Sequence, residues 1–473
     1  MSSSSSSSSS FNQLDQKIIH LNHAGDSTSP KRVLDRVSRH LQREQIYGGY
    51  AAQKLVQEDG EMENVYNNVA RLIHAEKEEI ALVESATVGW TRIFYTMVQR
   101  DEKERRTRFK IDSSTSNSRV ILVSEAEYAA NIVAACQWAR DHEDHWMVLA
   151  IPSAKVGDDD ENNNNSSTGT VDLQVFDRML EGKFYYKDKV GNDIRLDPTS
   201  IAIVCITHVP TNSGIVNPVE AIGDRITTYN NQRQQQQKVN TKYPAIKYLV
   251  DACQSVGQMD VNVRKIKCDC LVATGRKYLR GPRGTGFLFV SSDNIAKDIM
   301  PSHIDHYGCP IKASMYQQGV QLQDASVIQF APLGSAKRFE FWESNVASRL
   351  GLGEAVCVAL DLGLPKISRD IQRLSVFLRN ELEKELPTIR IHHRNTTKCG
   401  IVTFYFENLE PRTVVSDMWK DGFELSVVPA TSTPCDDTEN DLVRASVSYS
   451  NTEEEIRAFC IALGASYEKH KKP

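Results

Sequence analysis

Asp251-Ala252-Cys253-Gln254 closes the mainly apolar run from Ile246 to Val250, and Thr274-Gly275-Arg276-Lys277 closes a second run, Cys270-Leu271-Val272-Ala273. Both runs have strand length and the continuous apolar character of strands covered on both faces. Open α/β sheets bind ligands beyond the carboxyl ends of their strands, which is where Asp251, Gln254 and Lys277 fall. These three residue types are what pyridoxal phosphate (PLP) chemistry requires. A lysine amine holds the aldehyde as a Schiff base, and a carboxylate keeps the pyridine nitrogen protonated so that the ring accepts carbanion electrons. An amide can hydrogen-bond the ring's phenolic oxygen.

Outward from this pair, further apolar runs at 79–83, 119–123, 146–151, 201–207 and 286–290 bring the strand candidates to seven. Helical patterns alternate with them, such as 64–74 with Val65, Val69, Leu72 and Ile73 on one face. The alternation predicts an α/β domain with a mostly parallel seven-stranded sheet. Past residue 331 the pattern becomes α+β, with a helix at 344–360, strands at 401–406 and 443–449, and a capping box from Thr452 to Glu455 opening a final helix. The expected organisation is a serine-rich disordered tail at 1–10, an N-terminal segment at 11–60, a large domain at 61–330 and a small domain at 331–473. The polar stretches 101–119, 155–170 and 229–242 are predicted surface loops, dispensable for folding.

The chain has 473 residues, a net charge of −5 and a pI near 6.2. Its basic residues are scattered, so nothing points to nucleic acid or an anionic membrane. No apolar run reaches the ~18 residues of a membrane span. Ten cysteines without framework spacing point to reduced thiols and a cytoplasmic location, while the serine-rich start leaves organellar import open. His303, His306 and Cys309 lack the four-ligand pattern of structural zinc, so no metal is expected. The Gly-x-Gly-x-x-Gly of a dinucleotide-binding oxidoreductase does not follow the first strand.

Leu21-Asn22-His23-Ala24-Gly25, the block from Asp251 to Gly286, Arg444-Ala445-Ser446 and Asn451-Thr452-Glu453-Glu454-Glu455 together resemble the class V aminotransferase family. That family is the PLP fold type I group that includes the cysteine desulfurases, and the likeness covers nearly the whole chain. It implies that Lys277 is the Schiff-base lysine and Asp251 the partner of the ring nitrogen. Ala86 and Thr87, at the start of a helical run, match the phosphate-binding turn, with Thr274 and Arg276 closing the phosphate from the lysine side. Tyr128 matches the residue stacked on the ring, Gln254 and Asn212 (or Thr211) lie near the phenolic oxygen, and Arg444 matches the substrate-carboxylate arginine. The backbone of His23 and Ala24 helps close that carboxylate site. A homodimer acting on a small amino acid is implied as well.

Three departures from the family pattern bear on the chemistry. Arg276 stands where the family usually has histidine. Arg338-Phe339-Glu340 is followed by Phe341-Trp342-Glu343 rather than Gly-Thr, which removes the threonine that would reach a neighbouring subunit's phosphate. Cys435 lies only nine positions before Arg444, closer than the reactive cysteine of a desulfurase. The reading therefore favours transamination or C–S lyase (β-elimination) chemistry. Desulfuration and epimerisation are alternatives on the same fold, and a non-catalytic PLP-binding or interaction protein is the remote one.

Overall fold

A computed structural model of the chain describes residues 18–109, 118–143, 145–155, 167–188, 190–236, 244–296, 299–311, 330–392, 399–435 and 440–471. Seven strands form the large sheet: β1 Ile80–Val83, β2 Arg119–Ser124, β3 Trp146–Ile151, β4 Ile201–Thr207, β5 Lys247–Asp251, β6 Cys270–Thr274 and β7 Gly286–Val290. Each lies within one residue of its predicted bounds. Their order is β1-β7-β6-β5-β4-β2-β3. β7 runs antiparallel to both neighbours, and the remaining pairs are parallel. Alternate residues of one strand point to opposite faces, and two separate cores result. Ile206, Tyr248, Val250, Leu271 and Phe287 enter one core. Cys205, Leu249, Cys270, Val272 and Leu288 enter the other.

Helices α1 Lys31–Tyr47, α2 Gly49–Glu58 and α3 Glu61–Ile73 cover the first face through Val33, Val56, Val65 and Val69. α4 Ala86–Phe109 covers the second through Trp90, Ile93, Phe94 and Met97. α5 Ala129–Asp141 follows β2, and α6 Val346–Leu362 returns to the first face with Leu350, Leu352 and Val356.

The smaller sheet contains β8 Arg390–Ile391, β9 Ile401–Tyr405, β10 Ser426–Val428 and β11 Leu442–Ser446, antiparallel in the order β8-β9-β11-β10. α7 Leu364–Glu385, α8 Pro411–Lys420 and α9 Glu453–His470 pack on it around Leu378, Met418 and Phe459. α9 opens on the predicted capping box, with the Thr452 side chain accepting from the Glu455 N–H and the Glu455 carboxylate accepting from the Thr452 N–H. The N-terminal segment divides its contacts. Ile19–His20 pairs in parallel with Phe423–Glu424, Asn22 bridges Ser446 and Leu21 enters the small core.

Two expectations need correction. The first part of the predicted loop 101–119, residues 101–109, is not a surface loop but the last part of α4. Its charges are satisfied within the fold: Arg119 donates to the Asp101 carboxylate, and the Glu102 carboxylate accepts from Arg105, Arg106 and the Trp146 indole. Residues 229–236 likewise complete the helix Val219–Gln236, where Asn230 exchanges hydrogen bonds with the Ile246 backbone. Residues 1–10, 110–117, 156–166 and 237–243 lie outside the described residues.

Candidate active site

β5 and β6 are parallel neighbours, with Asp251 opposite Val272, so the turns after them emerge side by side. Asp251 ends its strand, and Lys277 lies three residues past the end of β6. Gly257 lets the two turns touch. Its φ is 91°, and a Cβ there would collide with the backbone of Tyr278 and Leu279, so glycine is required by conformation and by space. The two turns border a cleft of about 590 Å³. Of the predicted residues, Ala86, Thr87, Tyr128, Asp251, Gln254, Thr274, Arg276 and Lys277 line it, together with Thr211.

The Lys277 amine makes no ion pair among the described residues. Burial lowers its affinity for a proton; Arg276 and Arg444 lower it further, while Cys253 and Asp251 oppose them. Asp251 accepts from the Cys253 N–H at 2.9 Å and the Asn131 amide at 3.0 Å. Gln254 donates to the Ala24 carbonyl at 3.0 Å and to Thr211 Oγ1 at 3.3 Å, which leaves its buried Oε1 without a partner. To donate to a phenolic oxygen it must exchange the longer of these bonds. Tyr128 caps α5, with its side chain 38 % exposed. Burial and the neighbouring Asp251 carboxylate push its hydroxyl up.

Arg444, on β11, reaches the cleft through Thr211: Nη1 donates to Thr211 Oγ1 at 2.6 Å, and Nη2 stands 3.5 Å from Asn22 Oδ1. Its Nε is buried without a partner, and no carboxylate pairs with the guanidinium among the described residues. Burial pushes it down to about 10. The Asn22–Gly25 stretch joins the site's parts. The Ala24 carbonyl accepts from Gln254, the Gly25 carbonyl accepts from Arg276, and the Ala24 N–H donates to Ser446 Oγ at 2.9 Å. The His23 ring is buried against Ser27 Oγ at 2.7 Å, and its backbone N–H points to the Ser446 carbonyl at 3.4 Å. Asn212 does not join the cleft; its amide donates to the Pro429 carbonyl at 3.0 Å. Thr211 lies there instead.

The sequence did not single out Asn131, Thr207 or Cys253, all of which line the cleft. Their backbone positions follow from α5, β4 and β5, but nothing local marks them as cleft residues. Glu340, from the altered Arg-Phe-Glu segment, is fully buried and accepts from Tyr66, the Leu82 N–H and Arg349. Cys435 is exposed and does not line the cleft. Desolvation by the surrounding chain, with Cys136 and Glu125 nearby, pushes its thiol up, which is opposite to what a nucleophilic thiolate needs.

The donor set fits PLP. The opening N–H groups of α4 and the carboxylate-free Arg276 suit a phosphate, the unpaired Lys277 amine suits an aldehyde, and the Asp251 carboxylate suits a pyridinium nitrogen. When bound, PLP supplies an electron sink for a carbanion at the substrate α-carbon. A carboxylated substrate then has a buried, unpaired cation to meet in Arg444.

The sequence pattern of the family described as Aminotransferase class-V matches residues 188–459. A probable cysteine desulfurase of Synechocystis is 23 % identical over 456 residues, covering 95 % of this chain and 91 % of its own. The cysteine desulfurase of Wigglesworthia glossinidia brevipalpis is 25 % identical over 379 residues, covering 79 % and 74 %. Among solved structures, the apo cysteine desulfurase of Thermococcus onnurineus superposes with a TM-score of 0.70 at 19 % identity, over 98 % of this chain and 99 % of that one. The cystine C–S lyase C-DES, solved with its product cysteine persulfide, gives 0.69 at 19 % identity over 96 % and 99 %. These likenesses establish the fold as that of PLP fold type I.

Proposed function

The chain belongs to the class-V aminotransferase family of PLP-dependent enzymes, and from that premise we propose that it cleaves the Cβ–S bond of a sulfur-containing amino acid. The observation that carries this reading is the pairing of an unpaired lysine amine in the cleft with a buried, carboxylate-free arginine beside it. In this reading Arg444 binds the substrate carboxylate, and Lys277 holds the cofactor and then carries the α-proton. Asp251 keeps the ring nitrogen protonated, and Tyr128 covers the ring. The start of α4 with Thr274 and Arg276 holds the phosphate. Loss of the α-proton and departure of the β-sulfur as a thiol, or as a persulfide from a disulfide substrate, leaves a skeleton that takes up one water to give pyruvate and ammonium.

The character of Cys435 favours elimination over transfer of sulfur to the protein. An exposed thiol outside the cleft, with its affinity for a proton raised, is poorly suited to attack a substrate sulfur. The test supplies cysteine, cystine and S-conjugates to the wild type and to Cys435→Ser, following pyruvate, ammonia, sulfide, alanine and keto acid. Pyruvate and ammonia in equal amounts from both proteins are expected. Alanine with a protein-bound persulfide from the wild type alone would make the protein a desulfurase, and a keto acid that retains its sulfur would make it an aminotransferase.

The same proposal includes a homodimer, supported by the exposed apolar side chains Leu34, Leu41, Ile46, Tyr47 and Tyr50 on α1 and α2. Because α6 is buried in the large core, we place the boundary between the large and small domains at Gly363. Among the described residues no helix is long and apolar enough to cross a membrane. The ten cysteines are all free, which supports a cytoplasmic location.

A further inference from the structure

Glu127 has no part in the site as described, yet it lies directly behind it. Its side chain is fully buried between β2, β4 and α5. Ser124 Oγ and the Thr207 N–H donate to Oε2 at 3.0 and 2.8 Å, and Thr207 Oγ1 makes a short contact with Oε1. The Asn131 amide nitrogen donates to Glu127 Oε1 at 2.8 Å and to Asp251 Oδ2 at 3.0 Å. One amide thus spends both hydrogens on two carboxylates, which fixes which way Asn131 is turned. Among the described residues no Lys, Arg or His forms an ion pair with Glu127.

We propose that Glu127 is a positioning residue: by holding Asn131 it fixes the orientation of the Asp251 carboxylate toward the cleft, and its own charge state sets the electrostatic environment of that carboxylate. The inference rests on the reading of Asp251 as the partner of the cofactor's ring nitrogen. Asp251 has two hydrogen bonds, one from its own turn and one from Asn131, so the Asn131 bond is the part that another residue can control.

The titratable groups facing Glu127 are Asp251 and Tyr248 from β5 and Cys205 from β4, beside the neutral Ser124, Thr207 and Asn131. Burial holds the Cys205 thiol and the Tyr248 hydroxyl well up, so both stay neutral. Burial pushes Glu127 up to about 7; Asp251 adds to this, and the bonds from Asn131 and Thr207 oppose it. Below that pH Glu127 is neutral; above it Glu127 releases its proton to solvent and adds a negative charge beside Asn131. A second anion nearby raises the affinity of a ring nitrogen for its proton.

The experiment follows the PLP visible absorption band and PLP retention on dialysis from pH 5.5 to 9, in the wild-type holoenzyme, Glu127→Gln and Asn131→Ala. The wild type is expected to show a transition near neutral pH in both readouts, and Glu127→Gln to lack it. Asn131→Ala, which removes a bond that favours the Glu127 carboxylate, is expected to move the transition to higher pH and to retain PLP about tenfold less tightly, as the loss of a bond to a charged group implies. A purely structural role would lower the melting temperature of the variants and leave the transition in place, and that result overturns the proposal. If Glu127→Gln does not fold, Asn131→Ala decides by the same criterion. A wild type that binds no PLP would instead overturn the functional reading beneath it.

Discussion

Lys277 carries a positive charge poorly where it sits, with two guanidinium groups nearby and most of its solvent removed. The free amine is the form that adds to an aldehyde. Lys277→Ala is expected to fold and to lose covalent PLP attachment, with borohydride reduction and peptide mapping as the check. Labelling at Lys267 would contradict the assignment; that amine is held by Asp224 at 2.6 Å. Arg444→Lys is expected to raise the substrate KM by one to two orders of magnitude, given the about 1.5–3 kcal/mol of a charge-assisted bond. PLP retention is expected to stay at the wild-type level, because the phosphate and ring groups lie elsewhere. Most of the residues proposed to meet ligand were legible in the sequence because they end or follow a strand or open a helix; Arg444, inside β11, was legible only through its likeness to a family motif. Those that hold them were not. Asn131 meets Asp251 across 120 positions and Thr207 meets Glu127 across 80, and such partnerships leave no local pattern.

At the scale of elements, the seven strands were legible because burial on both faces demands uninterrupted apolar sequence. The end of α4 was not, because its charges read as solvent-loving and are in fact paired with one another and with β2. Arg119 is fully buried and also donates to the Thr199 and Ser200 carbonyls at 2.9 Å. Arg119→Met is expected to cost about 3–5 kcal/mol in urea denaturation by stranding Asp101, and adding Asp101→Leu to recover only part of this, since the two carbonyls stay unpaired. Gly257→Ala, at a positive φ against the Tyr278 and Leu279 backbone, is expected to cost about 1–3 kcal/mol and to loosen PLP together with stability. Wild-type PLP retention in that variant would show that the two turns do not need their close contact.

Across the whole molecule, two buried carboxylates pull stability in opposite directions with pH. The folded value of Glu127, about 7, lies above the ordinary ~4.3, so the stability it contributes is intact below that range and is lost as pH rises through 7, by about 3–4 kcal/mol. Burial would raise Glu102, but bonds from Arg105, Arg106 and Trp146 overcome it and hold it at about 2. Its contribution is present above the ordinary range and is lost as pH falls toward 2. Melting temperature is therefore expected to decline on both sides of a mildly acidic optimum, with Glu127→Gln flattening the alkaline limb. An unchanged alkaline limb in that variant would mean that Glu127 is ionised throughout. Removal of Met1–Ser10, which contains no apolar periodicity, is expected to leave melting and turnover unchanged.

The pairing of Ile19–His20 with Phe423–Glu424, and of Asn22 with Ser446, joins stretches that leave the ribosome some four hundred residues apart. The earlier stretch must wait unpaired while the sheet carrying Asp251 and Lys277 is synthesised, and it acquires its neighbours only as residues 423–446 emerge. A nascent chain halted near residue 420 therefore holds the groups that suit the cofactor but neither Arg444 nor the strand that seats His23 and Ala24. On the proposed role of Arg444, substrate recognition requires a chain translated through both halves, and an interrupted product is expected to be inert toward amino acids.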